Sequence, residues 1–233
     1  MKSSARVVII GGGSLGVSLF YHLAEEGWND VILIEKGELT SGSTWHAAGL
    51  CSNFIGNMTV AKIHNYSIRL YDEILPSQSG NPSVFHKCGS LRVGYSRIEE
   101  EWFRHLLSRS KNVPCEFNII SKDEAKNLHP FMNFENARII VNTPNDGHVD
   151  PSSVVMTMSQ IATSKGAKIS RFNRVEDIKK TQGGEWEVIT EKGSIIAEHV
   201  VNAAGCFAPE VGAMPVGERG GFCVCAGIAG EPI

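Results

Sequence analysis

Four residues near the N-terminus have the types and spacing needed to hold a nucleotide. Gly11, Gly13 and Gly16 fit the pattern G-x-G-x-x-G, and Glu35 follows about 20 residues further on. In this pattern one glycine permits a tight turn, the second lets backbone N–H groups approach a pyrophosphate, and the third lets a helix pack closely on a strand. A carboxylate at that distance can accept hydrogen bonds from ribose hydroxyls. The spacing therefore predicts a dinucleotide site.

The acidic residue narrows the choice of dinucleotide. Glu35 disfavours the 2′-phosphate of NADP because two negative groups would lie together, so FAD or NAD is favoured. The glycine pattern alone does not separate these two cofactors. A plain glycine turn beside a surface glutamate is the alternative, and the elements around the motif weigh against it.

A strand and a helix must flank the glycines if they are to bind phosphate. Arg6 to Ile10 (RVVII) predicts a strand that is buried on both faces, and apolar residues from Gly16 to Leu23 recur with helical period. Val31 to Ile34 (VILI) predicts a second buried strand, which ends at Glu35. Strand, helix and parallel strand in about 30 residues form a βαβ unit, so the context of the motif is satisfied.

The middle of the chain interrupts this alternation of strands and helices. Residues 40–50 form a small, polar loop. Thr59 to Leu75 has a helical period that Pro76 should stop. Val84 to Ser96 predicts a hairpin or a pair of strands, with Gly89 near the turn.

Further sheet strands are predicted only late in the chain. A helix from Ser152 to about Ser164 precedes three short strands that predict a meander, Lys168–Ser170, Glu185–Thr190 and Ser194–Ala197. His199 to Asn202 predicts one more buried strand, and from Pro215 onward neither period is present. This interrupted order favours a flavoprotein with a split cofactor domain over a nicotinamide dehydrogenase.

Composition excludes several classes of function. The 233 residues are 42% hydrophobic and 20% charged, which is typical of a globular protein. With 22 Lys and Arg against 25 Asp and Glu the net charge is −3, which leaves no basic surplus for nucleic acid. No apolar run is long enough for a membrane span. The six cysteines lack metal-ligand spacing, so we expect reduced thiols and no metal.

The most specific pattern lies in residues 6–50, within the stretch Ser43-Thr44-Trp45-His46-Ala47-Ala48-Gly49. Two later blocks, DGHVDP at residues 146–151 and VNAAG at residues 201–205, follow in a matching order. From about residue 5 to 214 the sequence resembles the dimethylglycine dehydrogenase and sarcosine dehydrogenase family. That family is part of the wider glycine and D-amino-acid oxidase group.

The resemblance implies an α/β fold. It consists of a Rossmann-like FAD-binding domain, discontinuous in sequence, and a partial strand-rich substrate domain. Residues 1–57 and 144–214 would be the two segments of the FAD-binding domain. Residues 58–143 would be the partial substrate domain with its helical connection, and residues 215–233 an atypical, truncated tail.

The resemblance also assigns a covalent bond. In that family the histidine of this motif is joined to the 8α-methyl group of FAD, which puts the bond on His46. Gly42 and residues 47–49 have little or no side chain, so the backbone there could lie against a flat ring. A neutral imidazole is a competent nucleophile toward an electrophilic methyl carbon. Spacing alone would favour a loop or packing histidine.

The predicted cofactor-binding residues come from the glycine motif, the acidic strand end, the attachment loop and later positions placed by analogy. They are Gly11, Gly13, Ser14, Leu15, Gly16, Glu35, Lys36, Gly42, Ser43, Thr44, Trp45, His46, Ala47, Ala48, Gly49, Leu50, Val175, Ala204 and Gly205. By analogy, the backbone of Val175 meets the adenine and Gly205 lets the chain pass close to FAD. No catalytic residue is predicted.

The activity implied by the resemblance is oxidation of an N-methylated glycine derivative such as dimethylglycine or sarcosine. A hydride equivalent leaves the N-methyl carbon for flavin N5, and an electron-transfer flavoprotein or oxygen then takes the electrons. Family members continue well beyond residue 233, so we expect binding of the ADP half of FAD and weak or no catalysis by this chain alone. The alternatives are a non-catalytic FAD-binding fragment and an oxygen-using sarcosine or D-amino-acid oxidase.

Location is predicted from the first residues. No Arg-rich, acid-poor presequence precedes Arg6, which favours a cytoplasmic protein. The mitochondrial matrix is the alternative for a processed chain.

Overall fold

The computed structural model describes residues 3–110, 114–214 and 222–224. The strands in chain order are β1 (Ser4–Ile10), β2 (Val31–Ile34), β3 (Leu50–Cys51), β4 (Phe85–His86), β5 (Ser90–Gly94), β6 (Asn118–Ile119), β7 (Ile139–Thr143), β8 (Gly147–Val149), β9 (Lys168–Ser170), β10 (Val175–Lys180), β11 (Trp186–Thr190), β12 (Gly193–Asn202) and β13 (Phe222–Val224). The α-helices are α1 (Ser14–Glu25), α2 (Met58–Arg69), α3 (Leu75–Ser79), α4 (Arg97–Ser110), α5 (Lys122–Leu128), α6 (Pro151–Ser164) and α7 (Ala208–Ala213). None of the described helices has the length and apolar character of a membrane span.

The chain divides into two compact units. The first combines Met1–Ala47 with Pro151–Ile233, and the second is Ala48–Asp150. The predicted α/β class is confirmed, including a sheet whose strands come from separate parts of the sequence. The first boundary lies about ten residues before the predicted one at residue 57, and the second lies about seven residues after the predicted one at residue 144. Both shifts enlarge the second unit, within which β3 pairs with β8.

The first unit is built on one sheet with the order β10-β11-β12-β1-β2-β9. Strand β1 lies between β2 and β12 and is parallel to both. All four side chains of β2 are buried, which agrees with the continuous apolar run in its sequence. Helix α1 connects β1 to β2 and packs against α6. The predicted βαβ unit is therefore present.

The late strands differ from the prediction in three ways. Strand β9 pairs in parallel with β2 and is not part of the meander, whose first strand is instead β10. A register shift after Val175 leaves Val175 and Ile178 as the buried residues of β10, a spacing that does not alternate. The break predicted after Ala197 is absent, since β12 is continuous.

The second unit contains two three-stranded sheets, β3-β8-β4 and β5-β7-β6. Strand β7 carries apolar side chains on both faces. Ile139 and Val141 pack with Phe54 and Phe103, and Ile140 packs in a separate cluster. This alternation makes β7 the central strand of the unit's core.

The region around Gly89 is a pair of strands and not a hairpin. Strand β4 pairs with β8, whereas β5 pairs with β7. Gly89, between them, has a φ of +73°, and its N–H donates to the carbonyl oxygen of Asp146 at 2.8 Å. The chain therefore leaves one sheet and enters the other at this glycine.

The prediction that Pro76 stops the preceding helix was wrong. A π-helical turn spans Leu70–Ile74, and the N–H of Leu75 donates to the carbonyl of Leu70. Pro76 then lies in the first turn of α3, where a missing N–H costs little. The helical path ends at Gly80, which has a φ of +70°.

One short part of the predicted tail forms a strand. Phe222–Val224 forms β13, which pairs in parallel with Val200–Asn202 of β12. Three residues are too few to show a strand period in the sequence. The rest of the predicted atypical tail, residues 215–221 and 225–233, lies outside the described residues.

A buried carboxylate organises the second unit. Asp146 is 1% exposed and accepts four hydrogen bonds. The donors are Ser52 Oγ at 2.9 Å, Asn53 N at 2.8 Å, Asn53 Nδ2 at 3.0 Å and Ser90 Oγ at 2.7 Å. This one side chain thus ties the segment after β3 to β5.

Replacing Asp146 with asparagine should destabilise the second unit by about 2–4 kcal/mol, because the amide N–H₂ would face donors in a buried site. Chemical denaturation followed by tryptophan fluorescence measures the change. The matched control is Asp123→Asn, an exposed residue in the first turn of α5, for which we expect a loss of about 0.5 kcal/mol or less. Equal effects of the two substitutions would contradict the role of the network.

Candidate cofactor-binding site

The junction between β1 and α1 admits only glycine at two positions. Gly11 has a φ of +116°, and a Cβ atom there would lie 2.3 Å from the carbonyl oxygen of Ala203. A Cβ atom on Gly16 would lie 2.0 Å from the carbonyl oxygen of Gly11. Strand β1, helix α1 and Ala203, the residue after β12, therefore lie too close together for a side chain at Gly11 or Gly16.

The N-terminus of α1 presents free backbone donors. Gly13 is the N-cap residue, has extended backbone and provides no side-chain cap. The N–H of Ser14 donates to Thr44 Oγ1 at 3.0 Å. The N–H groups of Gly13 and Leu15 have no acceptor within the described part of the chain. Such donors at the positive end of a helix dipole suit a phosphate, so the glycine motif fits a dinucleotide pyrophosphate.

Glu35 is held against the glycine turn by both carboxylate oxygens. Oε2 accepts a hydrogen bond from Gly12 N at 2.7 Å, and Oε1 accepts one from Gly37 N at 2.8 Å. Each carboxylate oxygen can accept more than one hydrogen bond, so capacity for ribose hydroxyls remains. These two hydrogen bonds fix the carboxylate at the end of β2.

Glu35→Gln should weaken this arrangement even without ligand. The substituted amide N–H₂ would face one of the two backbone N–H groups, and we expect a loss of about 1–2 kcal/mol in the free energy of unfolding. Glu185→Gln, at an exposed turn, is the control and should change stability by less than about 0.5 kcal/mol. If urea denaturation gives the same curve for Glu35→Gln and the unsubstituted chain, Glu35 does not hold the turn.

The loop after β2 brings His46 into the first unit. Thr44–His46 forms one turn of 3-10 helix, and the His46 ring is exposed beside the Trp45 ring, with centroids 3.8 Å apart. His46 Nδ1 lies 3.2 Å from the carbonyl oxygen of Gly42. That oxygen can only accept, so the contact requires a proton on Nδ1, and in the neutral imidazole the lone pair is on Nε2. Nε2 is then the nucleophilic atom of the ring.

Gly42, Ser43 and Ala47 lie in the first unit with His46, whereas the last three predicted residues of the attachment motif, Ala48, Gly49 and Leu50, belong to the second. The carbonyl oxygen of Gly49 accepts a hydrogen bond from Val149 N at 2.9 Å. Leu50 pairs with His148 in the β3-β8 ladder, and its side chain is 79% exposed. The motif therefore passes from one unit to the other between Ala47 and Ala48.

The late predicted residues lie at the ends of strands of the main sheet. Ala204 and Gly205 follow β12, and the N–H of Ala203 donates to the carbonyl of Ile10 at 2.8 Å. Lys36 Nζ lies 3.2 Å from the centroid of the Phe207 ring. These contacts place the glycine motif, Glu35, Thr44 and the 203–205 turn together, while Val175 is a buried residue at the start of β10.

The sequence did not point to Asn173, which connects Val175 to this group. Asn173 is fully buried, and its N–H donates to the carbonyl of Glu35 at 3.0 Å. Its Oδ1 accepts from Lys192 N at 3.1 Å, and its Nδ2 donates to Ser170 Oγ at 3.0 Å. Asparagine before a strand is common in loops, so its sequence context gives no specific signal.

Two thiols of the second unit are poor nucleophiles. Burial, with a smaller contribution from the negative charge of Asp146, raises the pKa of Cys51 to about 11. The same two causes raise the pKa of Cys115 to about 12. Both groups stay protonated near neutral pH. No cluster of three His, Cys, Asp or Glu side chains suited to a metal ion occurs within the described residues.

A family model matches most of the chain. The model described as DAO, FAD dependent oxidoreductase, covers residues 6–224. Mouse dimethylglycine dehydrogenase, named as mitochondrial, is 41% identical over 213 residues, which is 91% of this chain and 24% of that protein. Human sarcosine dehydrogenase, also named as mitochondrial, is 32% identical over 224 residues, which is 92% of this chain and 24% of that protein.

A solved structure agrees with the fold. The crystal structure of L-proline dehydrogenase from P. horikoshii matches with a TM-score of 0.84 and 26% sequence identity. The match covers 92% of this chain and 56% of that one. The chain therefore spans about a quarter of the length of the curated relatives and over half of the solved relative.

Proposed function

This chain belongs to the DAO family of FAD-dependent oxidoreductases, and we propose that it is the FAD-binding part of a dehydrogenase for N-methylated glycine derivatives. The observation that carries the proposal is the glycine turn at Gly11 to Gly16, with backbone N–H groups at the start of α1 that have no acceptor in the described part of the chain and Glu35 fixed beside them. Relatives named dimethylglycine dehydrogenase and sarcosine dehydrogenase support the substrate class.

Each cofactor-binding residue has a defined task in this proposal. The N–H groups of Gly13 and Leu15 bind the pyrophosphate, and the Glu35 carboxylate accepts hydrogen bonds from the ribose. Val175 meets the adenine with its backbone, and the small residues Ala204 and Gly205 leave room for FAD. The first unit is the cofactor domain, and the second is part of the substrate domain.

Residue His46 is the proposed attachment point for the flavin. The Gly42 carbonyl orients the ring and holds a proton on Nδ1, so Nε2 is the atom through which His46 would hold the flavin at its 8α-methyl group. The exposed ring and the small residues around it leave room for a flat partner.

The redox chemistry comes from the cofactor. When bound, FAD would supply the two-electron acceptor for oxidation of the N-methyl amine to an iminium, with hydride transfer to flavin N5 as the proposed route. The residues of the protein bind the cofactor and the substrate, orient them and provide the electrostatic environment of the reaction. An electron-transfer flavoprotein is the proposed partner that takes the electrons, and oxygen is the alternative acceptor.

The experiment is an absorbance spectrum and an intact mass of the purified chain, taken before and after anaerobic addition of dimethylglycine or sarcosine. A flavin spectrum that bleaches with substrate is the expected result. A chain that never carries flavin would overturn the proposal, and a flavin-loaded chain that never bleaches would leave a non-catalytic FAD-binding module.

Oxygen as the acceptor is tested separately. Hydrogen peroxide formed with substrate and air alone would identify an oxidase of the sarcosine or D-amino-acid type. The curated relatives named above are mitochondrial by name, and the location of this chain stays a prediction.

A further inference from the structure

One exposed aromatic residue of the first unit has an unusual backbone conformation. Phe172 lies in the loop between β9 and β10 and has a φ of +49°. Among the described residues, only Phe172 and Thr40 are non-glycine residues with positive φ. For a bulky residue this left-handed conformation is strained, and such strain concentrates at functional sites.

The strain at Thr40 is compensated by local contacts. Thr40 is buried, its N–H donates to the carbonyl of Gly12 at 3.0 Å, and its Oγ1 accepts from Ser152 Oγ at 3.3 Å. The Phe172 side chain is 56% exposed and makes no aromatic or cation–π contact within the described residues. Packing of its own ring therefore does not explain the conformation of Phe172.

Backbone contacts hold Phe172 beside the segment that follows β2. Its N–H donates to the carbonyl of Gly37 at 3.4 Å, and the next N–H, of Asn173, donates to the carbonyl of Glu35 at 3.0 Å. The buried Asn173 side chain fixes the loop further through Ser170 and Lys192. The loop is thus anchored to the residues on which the proposed ribose site depends.

We propose that Phe172 is a specificity-determining residue that presents its ring to the adenine of the cofactor. The inference rests on the proposed function, because a ribose held at Glu35 carries its base beside the same segment. A purine has an extended π face, and an aromatic side chain next to it can stack on that face. The backbone hydrogen bonds fix the position of Phe172 beside this segment, and its side chain is exposed there.

The test measures nucleotide binding and not turnover. Full-length chains are prepared in a His46→Ala background and stripped of flavin, so that binding is reversible. Calorimetry with FAD and ADP should show about ten-fold weaker binding for Phe172→Ala and for Phe172→Gly. Binding of FMN, which lacks adenine, should not change, and Phe172→Trp should restore ADP affinity.

The two substitutions separate the ring from the backbone. Glycine relieves the positive φ, so the melting temperature of Phe172→Gly should equal or exceed that of the parent while its ADP affinity falls. The matched control is Phe131→Ala, a 94% exposed aromatic of the second unit, which should bind ADP as the parent does.

Three results would overturn the inference. If ADP affinity is unchanged in both Phe172→Ala and Phe172→Gly, the Phe172 ring does not contact the adenine, and the proposed function is unaffected. Normal affinity in Phe172→Gly with weak affinity in Phe172→Ala assigns the effect to the backbone. Failure of the parent chain to bind FAD or ADP overturns the proposed function itself, together with this inference.

Discussion

Replacing Gly16 with alanine should unfold the junction between β1 and α1 and abolish FAD binding. The added Cβ atom would lie 2.0 Å from the carbonyl oxygen of Gly11, a backbone atom that no rotamer change can move. Relief requires displacement of the helix from the strand, and we expect a loss of about 3 kcal/mol or more in the free energy of unfolding. Urea denaturation and flavin retention after gel filtration measure the two effects.

The matched control is Gly183→Ala in the turn between β10 and β11. The nearest atoms to a Cβ there are Thr181 Oγ1 at 3.7 Å and Glu185 Oε2 at 3.8 Å, which are ordinary contacts. We expect a change within about 0.5 kcal/mol and normal flavin content. A Gly16→Ala chain as stable as this control would show that helix and strand are not in close contact.

Replacing His46 with alanine should remove all covalently attached flavin and leave the fold intact. The side chain is exposed, so its loss should cost less than about 0.5 kcal/mol of stability. Reversible FAD binding should persist, because the glycine turn and Glu35 do not depend on this ring. The protein is precipitated with acid and washed, and its absorbance and mass then distinguish covalently attached flavin from flavin that was bound reversibly.

His105→Ala, at an exposed position of α4, is the control for the loss of a histidine and should retain the linkage. If the unsubstituted chain loses all its colour on acid precipitation, the attachment proposal is wrong whatever the variants do. If flavin stays attached in His46→Ala, another residue forms the bond.

Local sequence signals were sufficient for the βαβ unit. The run RVVII, the glycines and the run VILI each have one dominant interpretation, because apolar strands without polar alternation must be buried on both faces. The expected close packing at Gly16 is present. The α/β class was predicted from the family resemblance, and these elements agree with it.

Other elements depend on contacts that are distant in sequence. Strand β10 does not alternate because a bulge follows Val175, so its buried residues recur with the spacing of a helix. Proline interrupts a helix only where the helix needs a backbone N–H donor, and Pro76 lies in the first turn of α3, where none is needed. The four donors to Asp146 include residues more than 90 positions away, and no local pattern indicates such a network.

The central position of β1 has a consequence for folding. Its neighbour β12 is paired with it across roughly 190 positions of sequence, as in the pair Ser4 and Ile196. During synthesis β1 must wait for that partner while the whole intervening unit, Ala48–Asp150, emerges from the ribosome as one continuous segment. The second unit can therefore form first, and the high contact order of the first unit makes its sheet the slow step of folding.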